Sequence, residues 1–386
     1  MKALAASPSM STRLVHRFVS RFPDPPVNFE IALPDGSVVP VGRGPAAFRI
    51  SLRNARGSRA LATLDAGRFG DAYVAGDIDL EGDMVAPFAL RGSLGDTHPL
   101  IAMFRFIEPM IVGQVRANRR AIAAHYDLDP GFFLSFLDPD VPCYTQGVYE
   151  RDDETLAEAN RRKLAWCFDR CELHAGSRIF EVGPGWGAWF EYASARGVHC
   201  TGISNSEISI RYLTQRAREL GRDWTLIQGD LLSHATQQTY DAVVIMGVIE
   251  HLPQYGEVLA RAAAMLRPGG FLFVDASACT KKYELSSYMV KYIYGANHSF
   301  LVLHEFLAAV ARTPLELMAL ENDRHSYFLT FLQWARNLDA NRDRVIERFG
   351  AFDYRRFRLY LWGAAYEFQS RSLDAYRMIL RNTGTA

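Results

Sequence analysis

From residue 155 onward helix-like and strand-like stretches alternate, and this rhythm constrains the fold more than any other feature of the chain. LAEANRRKLAWCFDRC has helical periodicity, SRIFEVG reads as a buried strand, WGAWFEYASARG as a helix and VHCTGIS as a strand. SEISIRYLTQRAREL, WTLIQGD, YDAVVIMGV and YGEVLARAAAMLRPGG continue as helix, strand, strand and helix, the last ending at Pro-Gly-Gly. FLFVDAS closes the run as another strand. Units of this size bury their apolar faces as a parallel, doubly wound sheet with helices on both sides. The expected fold class is therefore α/β and Rossmann-like.

Within that run, IFEVGPGWGAWF (179–190) places three glycines after a strand and at the start of a helix. Glycine serves turns that need positive φ, and it also admits a ligand close to the backbone. The position is the first turn of the α/β unit, where doubly wound sheets bind ligands. The motif is E-x-G-x-G-x-G headed by Glu181, not G-x-G-x-x-G, and the second strand ends in GISNS without the lone acid expected for an NAD ribose. Gly229-Asp230 after the third strand and Pro-Gly-Gly before a later one complete the pattern of S-adenosylmethionine-dependent methyltransferases. On this reading Gly183, Gly185 and Gly187 admit the methionine part of that cofactor, and Asp230 lies near its adenine.

The 386 residues suffice for two domains, and 43 basic residues against 43 acidic ones leave no net field to draw nucleic acid. Five cysteines without ligand spacing and scattered histidines argue against a metal site and fit a reducing cytoplasm. No stretch approaches the roughly 20 apolar residues of a membrane span. Near the start, Leu14, Phe18, Val19 and Phe22 share a helix face opposite Arg13, Arg17 and Arg21. That face suits either an anionic membrane surface or a packing helix. Residues 23 to about 95 alternate as strands (VNFEIALPDGSVVPVG, AFRISLRN) with Pro-Asp-Gly turn chemistry, which predicts a small α+β domain over 1–97. Residues 98–386 form the catalytic domain on this division, beginning with a helix over 98–124. Its Arg116, Arg119 and Arg120 face either solvent or a phosphate-bearing surface. The final hundred residues are expected to be mostly helical and aromatic-rich.

Several segments in order resemble one family, the cyclopropane-fatty-acyl-phospholipid synthases with the mycolic acid cyclopropane synthases and fatty-acid methyltransferases. AHYDLDPGFFLSFLDPD (124–140), FEVGPGWGAW, TGISNSE, GVIEHLPQY, RHSYFLTFLQW and RLYLWGAAYEF are similar to that family's motifs, over roughly residues 60–380. The resemblance implies that Tyr144, Thr145, Ser204 and Ser206 touch the cofactor, and that Glu250 and Tyr327 are active-site residues. It implies that His125 and Tyr126 order the segment covering the cofactor, and that His251 supports or packs. It further implies a lipid-handling N-terminal domain, an unsaturated phospholipid acyl chain met at the inner membrane surface as partner, and a homodimer of the kind family members form.

In the family a Cys and a His, with the Glu and Tyr, hold a bicarbonate ion that acts as base. Here Gln146 stands in place of the Cys and Asp275 in place of the His. Two unit charges about 4 Å apart cost about 4 kcal/mol at an effective dielectric of 20, so a carboxylate at 275 disfavours bicarbonate beside Glu250. The base is then Glu250 or Asp275. The chemistry implied is attack of an alkene on a sulfonium methyl. The cation formed is stabilised by aromatic faces such as Tyr144, Tyr149 or Tyr327, or these tyrosines simply pack the core. Loss of a proton then yields a cyclopropane or a methyl-branched alkene. The same fold could instead methylate a polyketide or another small unsaturated metabolite, or bind cofactor and lipid without catalysis.

Overall fold

The computed structural model describes residues 9–96, 128–280, 286–294 and 299–384. The expected helix over 98–124 with Arg116, Arg119 and Arg120, the 97/98 boundary, His125 and Tyr126 lie outside the described residues.

The N-terminal part is a four-stranded sheet with helices against it. In chain order these are α1 (Met10–Val19), β1 (Phe29–Ala32), β2 (Val38–Val41), β3 (Phe48–Leu52), α2 (Ala55–Ala62), α3 (Ala66–Val74) and β4 (Ile78–Gly82), with strand order β2-β1-β3-β4. The two interior helices start on sequence-encoded caps: Asn54 accepts from the amide of Arg56 at 2.8 Å, and Asp65 from that of Arg68 at 2.9 Å. Val15 and Phe18 of α1 are buried, and the Phe18 and Phe22 rings, 4.9 Å apart, pack on Phe29. Arg13, Arg17 and Arg21 stay exposed. Phe18 and Phe22 of the apolar face are therefore committed to the core, which favours the packing reading of that helix.

The remaining elements are α4 (Pro130–Leu134), α5 (Leu156–Arg170), β5 (Arg178–Val182), α6 (Ala188–Ser194), β6 (His199–Ser204), α7 (Glu207–Leu220), β7 (Thr225–Gln228), β8 (Tyr240–Met246), α8 (Tyr255–Met265) and β9 (Leu266–Ala278). After them come α9 (Ser287–Tyr292), α10 (Leu303–Val310), β10 (Leu315–Asn322), α11 (Arg324–Ala340), α12 (Arg342–Phe349), α13 (Ala351–Gln369) and β11 (Asp374–Asn382). The seven-stranded sheet runs β10-β11-β9-β8-β5-β6-β7, parallel from β9 to β7, with β11 antiparallel to β9 and β10 antiparallel to β11. The strand order reverses direction beside β5, so the glycine turn sits at the topological switch point.

Two stretches differ from the sequence expectation. The helix read through Pro-Gly-Gly ends at Met265, and residues 266–270 already belong to β9, with a register shift opposite Tyr240/Ala242 absorbing the irregularity. Residues 374–382, read with the helical tail, form a strand. Met378 and Leu380 are good helix formers, but pairing with both β9 and β10 buries them on both faces and overrides propensity.

One apolar core links the N-terminal sheet to α11 and α13: Phe29, Ile50 and Leu80 belong to the same buried cluster as Tyr327, Phe331, Phe357 and Phe368.

Candidate active site

The turn after β5 answers the question of its three glycines. Gly183, Gly185 and Gly187 have φ of 68°, 53° and 85°, a region that side chains rarely adopt. A Cβ at Gly183 would lie 2.6 Å from Val248 Cγ2, and one at Gly187 2.7 Å from Leu213 Cδ2, so internal packing alone excludes side chains there. At Gly185 the nearest atom would be the Gly183 carbonyl oxygen at 4.0 Å. That position opens instead on a cavity of about 120 Å³ at the ends of β5, β6 and β8. Ser209 on α7 donates to the Gly185 carbonyl at 2.8 Å and fixes the turn.

Tyr144, Thr145, Glu181, Gly183, Gly185, Ser204, Ser206, Gly229 and Asp230 all line this cavity, and so do Asn205 and His251. Gly187 does not; its role is packing. Ser206 Oγ caps α7 through the Ser209 amide at 3.2 Å, and Ser204 Oγ accepts from the Ser206 amide at 3.1 Å. Asp230 accepts from Asn205 Nδ2 at 2.9 Å and from the Leu232 amide at 2.8 Å. Two buried atoms of the lining, Glu181 Oε2 and Asn205 Oδ1, make no hydrogen bond. Buried polar atoms are almost always paired, so these are places for a ligand's donors. Burial holds the Glu181 carboxyl well above its ordinary pKa, with Lys163 opposing the shift. An amino acid moiety and ribose hydroxyls fit such a lining. Gly185→Val tests it: the strain of a side chain at positive φ is about 1–2 kcal/mol, while affinity for S-adenosylmethionine, read by calorimetry, is expected to fall at least ~10-fold. Unchanged affinity would place the cofactor elsewhere.

Behind this cavity lies a feature not foreseen from the sequence. Lys163 on α5 and Asp275 on β9 form an ion pair of 3.3 Å, both side chains fully buried. Thr145 Oγ1 touches Lys163 Nζ and donates to Asp275 at 3.4 Å. Burial works against the Lys163 ammonium, but Asp275, with Cys143 and Asp323, outweighs it and raises the lysine pKa. Burial lifts the Asp275 carboxyl, and Lys163 pulls it back. The carboxylate expected at 275 has a partner that the sequence reading lacked: Lys163 offsets part of its charge, although Asp275 still acts on Glu250 as a like charge and raises its pKa. Asp275 and Gln146, both fully buried, line neither this cavity nor the larger one described next. Only its burial was legible, since Lys163 occupies the buried stripe of α5 with Leu156, Ala159, Asn160, Leu164 and Cys167.

The larger cavity, about 530 Å³, is mainly apolar and is walled by α11, α13 and the N-terminal sheet. Tyr327 lines it, with its ring centroid 4.8 Å from Phe331 and 4.6 Å from Phe368, which lie 5.6 Å from each other. Tyr294 and Tyr360, hydroxyl to hydroxyl at 2.6 Å, line it too. Glu250 itself lines neither cavity, but its neighbours line both. Its Oε1 accepts from the amide and hydroxyl of Ser277, each at 2.9 Å, and Ser277 faces the larger cavity. The next residue, His251, faces the smaller cavity and stands 5.8 Å from the Tyr294 ring. Glu250 Oε2 makes no hydrogen bond. Burial pushes the Glu250 carboxyl up to about 7, against the two Ser277 bonds. Burial alone lowers His251 to about 4, leaving a neutral imidazole. A carboxylate with a free oxygen and a pKa near neutrality is equipped to take a proton.

The chain is similar in sequence and in fold to known proteins. The chain is 24% identical over 335 residues to a sphingolipid C9-methyltransferase of Candida albicans, covering 81% of this chain but spanning only 65% of that protein's length. It is 24% identical to a probable fatty acid methyltransferase of Mycobacterium tuberculosis, with 89% of both chains covered. Two solved structures, the cyclopropane synthase MmaA2 of M. tuberculosis and a mycolic acid cyclopropane synthase, CmaA1, complexed with SAH and CTAB, superpose with TM-scores of 0.63. They share 24% and 22% identity with the chain, and each match covers 68% of it and 98% of the solved structure. The family description of mycolic acid cyclopropane synthetases matches residues 114–378. The chain belongs to the mycolic acid cyclopropane synthetase family of S-adenosylmethionine-dependent methyltransferases.

Proposed function

We propose that this chain transfers a one-carbon unit from S-adenosylmethionine to the double bond of an unsaturated fatty acyl chain, giving a cyclopropane or methyl-branched product. The observation supporting it most directly is a glycine-turn cavity beside a large apolar one, with buried Glu250 bonded to Ser277 of the second and followed by His251 of the first. The bound cofactor supplies an electrophilic methyl group; the chain's residues do the rest. The apolar cavity excludes water from the alkene. The faces of Tyr327, Phe331 and Tyr294 attract the positive charge that develops on the alkene carbon. Glu250 accepts the departing proton on Oε2. A proton taken from the added carbon closes a ring, and one taken from a neighbouring carbon leaves a branched alkene.

The substrate we favour is an acyl chain within phospholipid, met at a membrane surface by a homodimer. Among the described residues, no helix is long and apolar enough to cross a membrane. The similarity to sphingolipid C9-methyltransferases supports a second lipid class, the sphingolipids. An apolar cavity several times larger than the glycine-turn cavity favours either over a small polar metabolite. The purified chain would be incubated with methyl-labelled S-adenosylmethionine and, separately, unsaturated phospholipid vesicles, free unsaturated fatty acids and unsaturated sphingolipids. Label in an acyl chain, with a mass gain of one CH2 and fragmentation separating ring from branch, is the expected result. Label in none of the three overturns the reading.

A further inference from the structure

We propose that the N-terminal domain forms the blind end of the acyl cavity and selects substrates by the length of chain beyond the double bond. The inference rests on the acyl-chain reading above and adds to it a part of the molecule that the family match, beginning at residue 114, does not reach. Nearly half of the residues lining the larger cavity precede residue 97.

The cavity has three chemically distinct surfaces. Its mouth is polar: Arg91, 41% exposed, pairs with Glu367, and Asp65 and Asp96 stand in the same lining. Its reactive wall carries Ser277, which holds Glu250, together with Tyr327 and Tyr294. Its third surface is made by Phe18, Phe48, Ile50, Leu61 and Leu80, each 4% exposed or less. No side chain among these five can hydrogen-bond, so a headgroup or carboxylate entering there would lose its solvation without replacement. A polar lipid end therefore stays at Arg91, and a methyl terminus is what the blind end accepts.

Helix α13 sets the spacing between these surfaces. Glu367 reaches the mouth through Arg91, whereas Arg358, nine residues earlier, donates to the Leu80 carbonyl at 3.3 Å beside the blind end. At 1.5 Å per residue these two contacts are about 13 Å apart along the helix. Phe368, stacked on Tyr327, and Tyr360, bonded to Tyr294, lie on the same helix and put the reactive wall alongside this path. A chain anchored at the mouth passes the reactive wall mid-chain and ends against the N-terminal sheet. One methylene too many in a closed apolar pocket is worth roughly 10- to 200-fold in discrimination.

The test uses Ile50 on β3, at the centre of the blind end. Acyl substrates with the double bond at one fixed distance from the carboxyl group and tails of graded length would be turned over by the full chain and by Ile50→Phe and Ile50→Ala. Ile50→Phe is expected to lower kcat/KM for the longest tails about 10-fold or more and to spare the shortest; Ile50→Ala is expected to move the optimum to longer tails. Calorimetric binding of saturated fatty acids of graded length to the same three proteins should show the same displacement without any turnover. If Ile50→Phe does not fold, the opposite displacement by Ile50→Ala carries the test. Folded variants with the wild-type length profile in both assays overturn the proposal, while wild-type turnover leaves the assigned reaction standing. A displaced binding profile with no turnover of any lipid does the reverse.

Discussion

Glu250→Gln is expected to lower methyl transfer by roughly 10²- to 10⁴-fold, the range lost when a positioned general base is removed, with affinity for S-adenosylmethionine nearly unchanged. The amide keeps the shape and leaves an oxygen to accept from Ser277, so that contact survives. What disappears is the proton acceptor at Oε2. Single-turnover assays with labelled cofactor, alongside calorimetric cofactor binding, separate the two effects. A variant that turns over within a few-fold of wild type would remove Glu250 from the chemistry.

The same residue gives the reaction a pH profile. As base Glu250 must be ionised, so turnover should rise as pH passes through about 7 and level off above it. Stability runs the other way. The folded-state pKa is raised above that of an unfolded glutamate, so the stabilising contribution is complete below the unfolded value and is lost as pH rises through about 7. Above that pH the buried charge costs on the order of 3 kcal/mol, and Glu250→Gln should resist urea better than wild type at pH 8 while resembling it at pH 5. Activity and stability moving in opposite directions with pH is the signature of a functional carboxylate kept buried.

How much of this was legible before the fold was known depends on the range over which each feature is encoded. The sheet strands and the glycine turn were readable because hydrophobic period and turn chemistry are local signals. The glycine-turn cavity followed, since its position at the carboxyl ends of the strands is set by topology. Strand β11 was not readable, because Asp374–Asn382 takes its conformation from partners about a hundred residues away on β9. The partner of Asp275 was hidden for the same reason: Lys163 lies on another element, and nothing in FLFVDAS announces it. The N-terminal wall of the larger cavity was hidden more deeply still. Its residues read as the ordinary core of a small domain, and only the packing of that domain on α13 turns them into a cavity wall.

Lys163→Met should destabilise the protein by about 3–5 kcal/mol, the usual cost of removing one partner of a buried ion pair, read as a lower urea midpoint with an unchanged slope. The loss comes from Asp275, which would remain fully buried with Thr145 as its remaining side-chain partner. An abandoned carboxylate adopts a higher folded pKa than its unfolded one, so the variant should regain stability as pH falls and Asp275 becomes protonated. Lys163→Met combined with Asp275→Leu removes both charges and is expected to recover most of the deficit, because apolar replacement of a buried pair is often neutral or better. Cofactor affinity should not recover with it. Thr145 Oγ1 is held by both members of the pair and Thr145 lines the cofactor cavity, so the double variant leaves that hydroxyl without its anchors. A double variant as stable as wild type but weaker in binding S-adenosylmethionine identifies the pair as the support of the cofactor wall; full recovery of both, or a single-variant loss under about 1 kcal/mol, shows that the pair is dispensable.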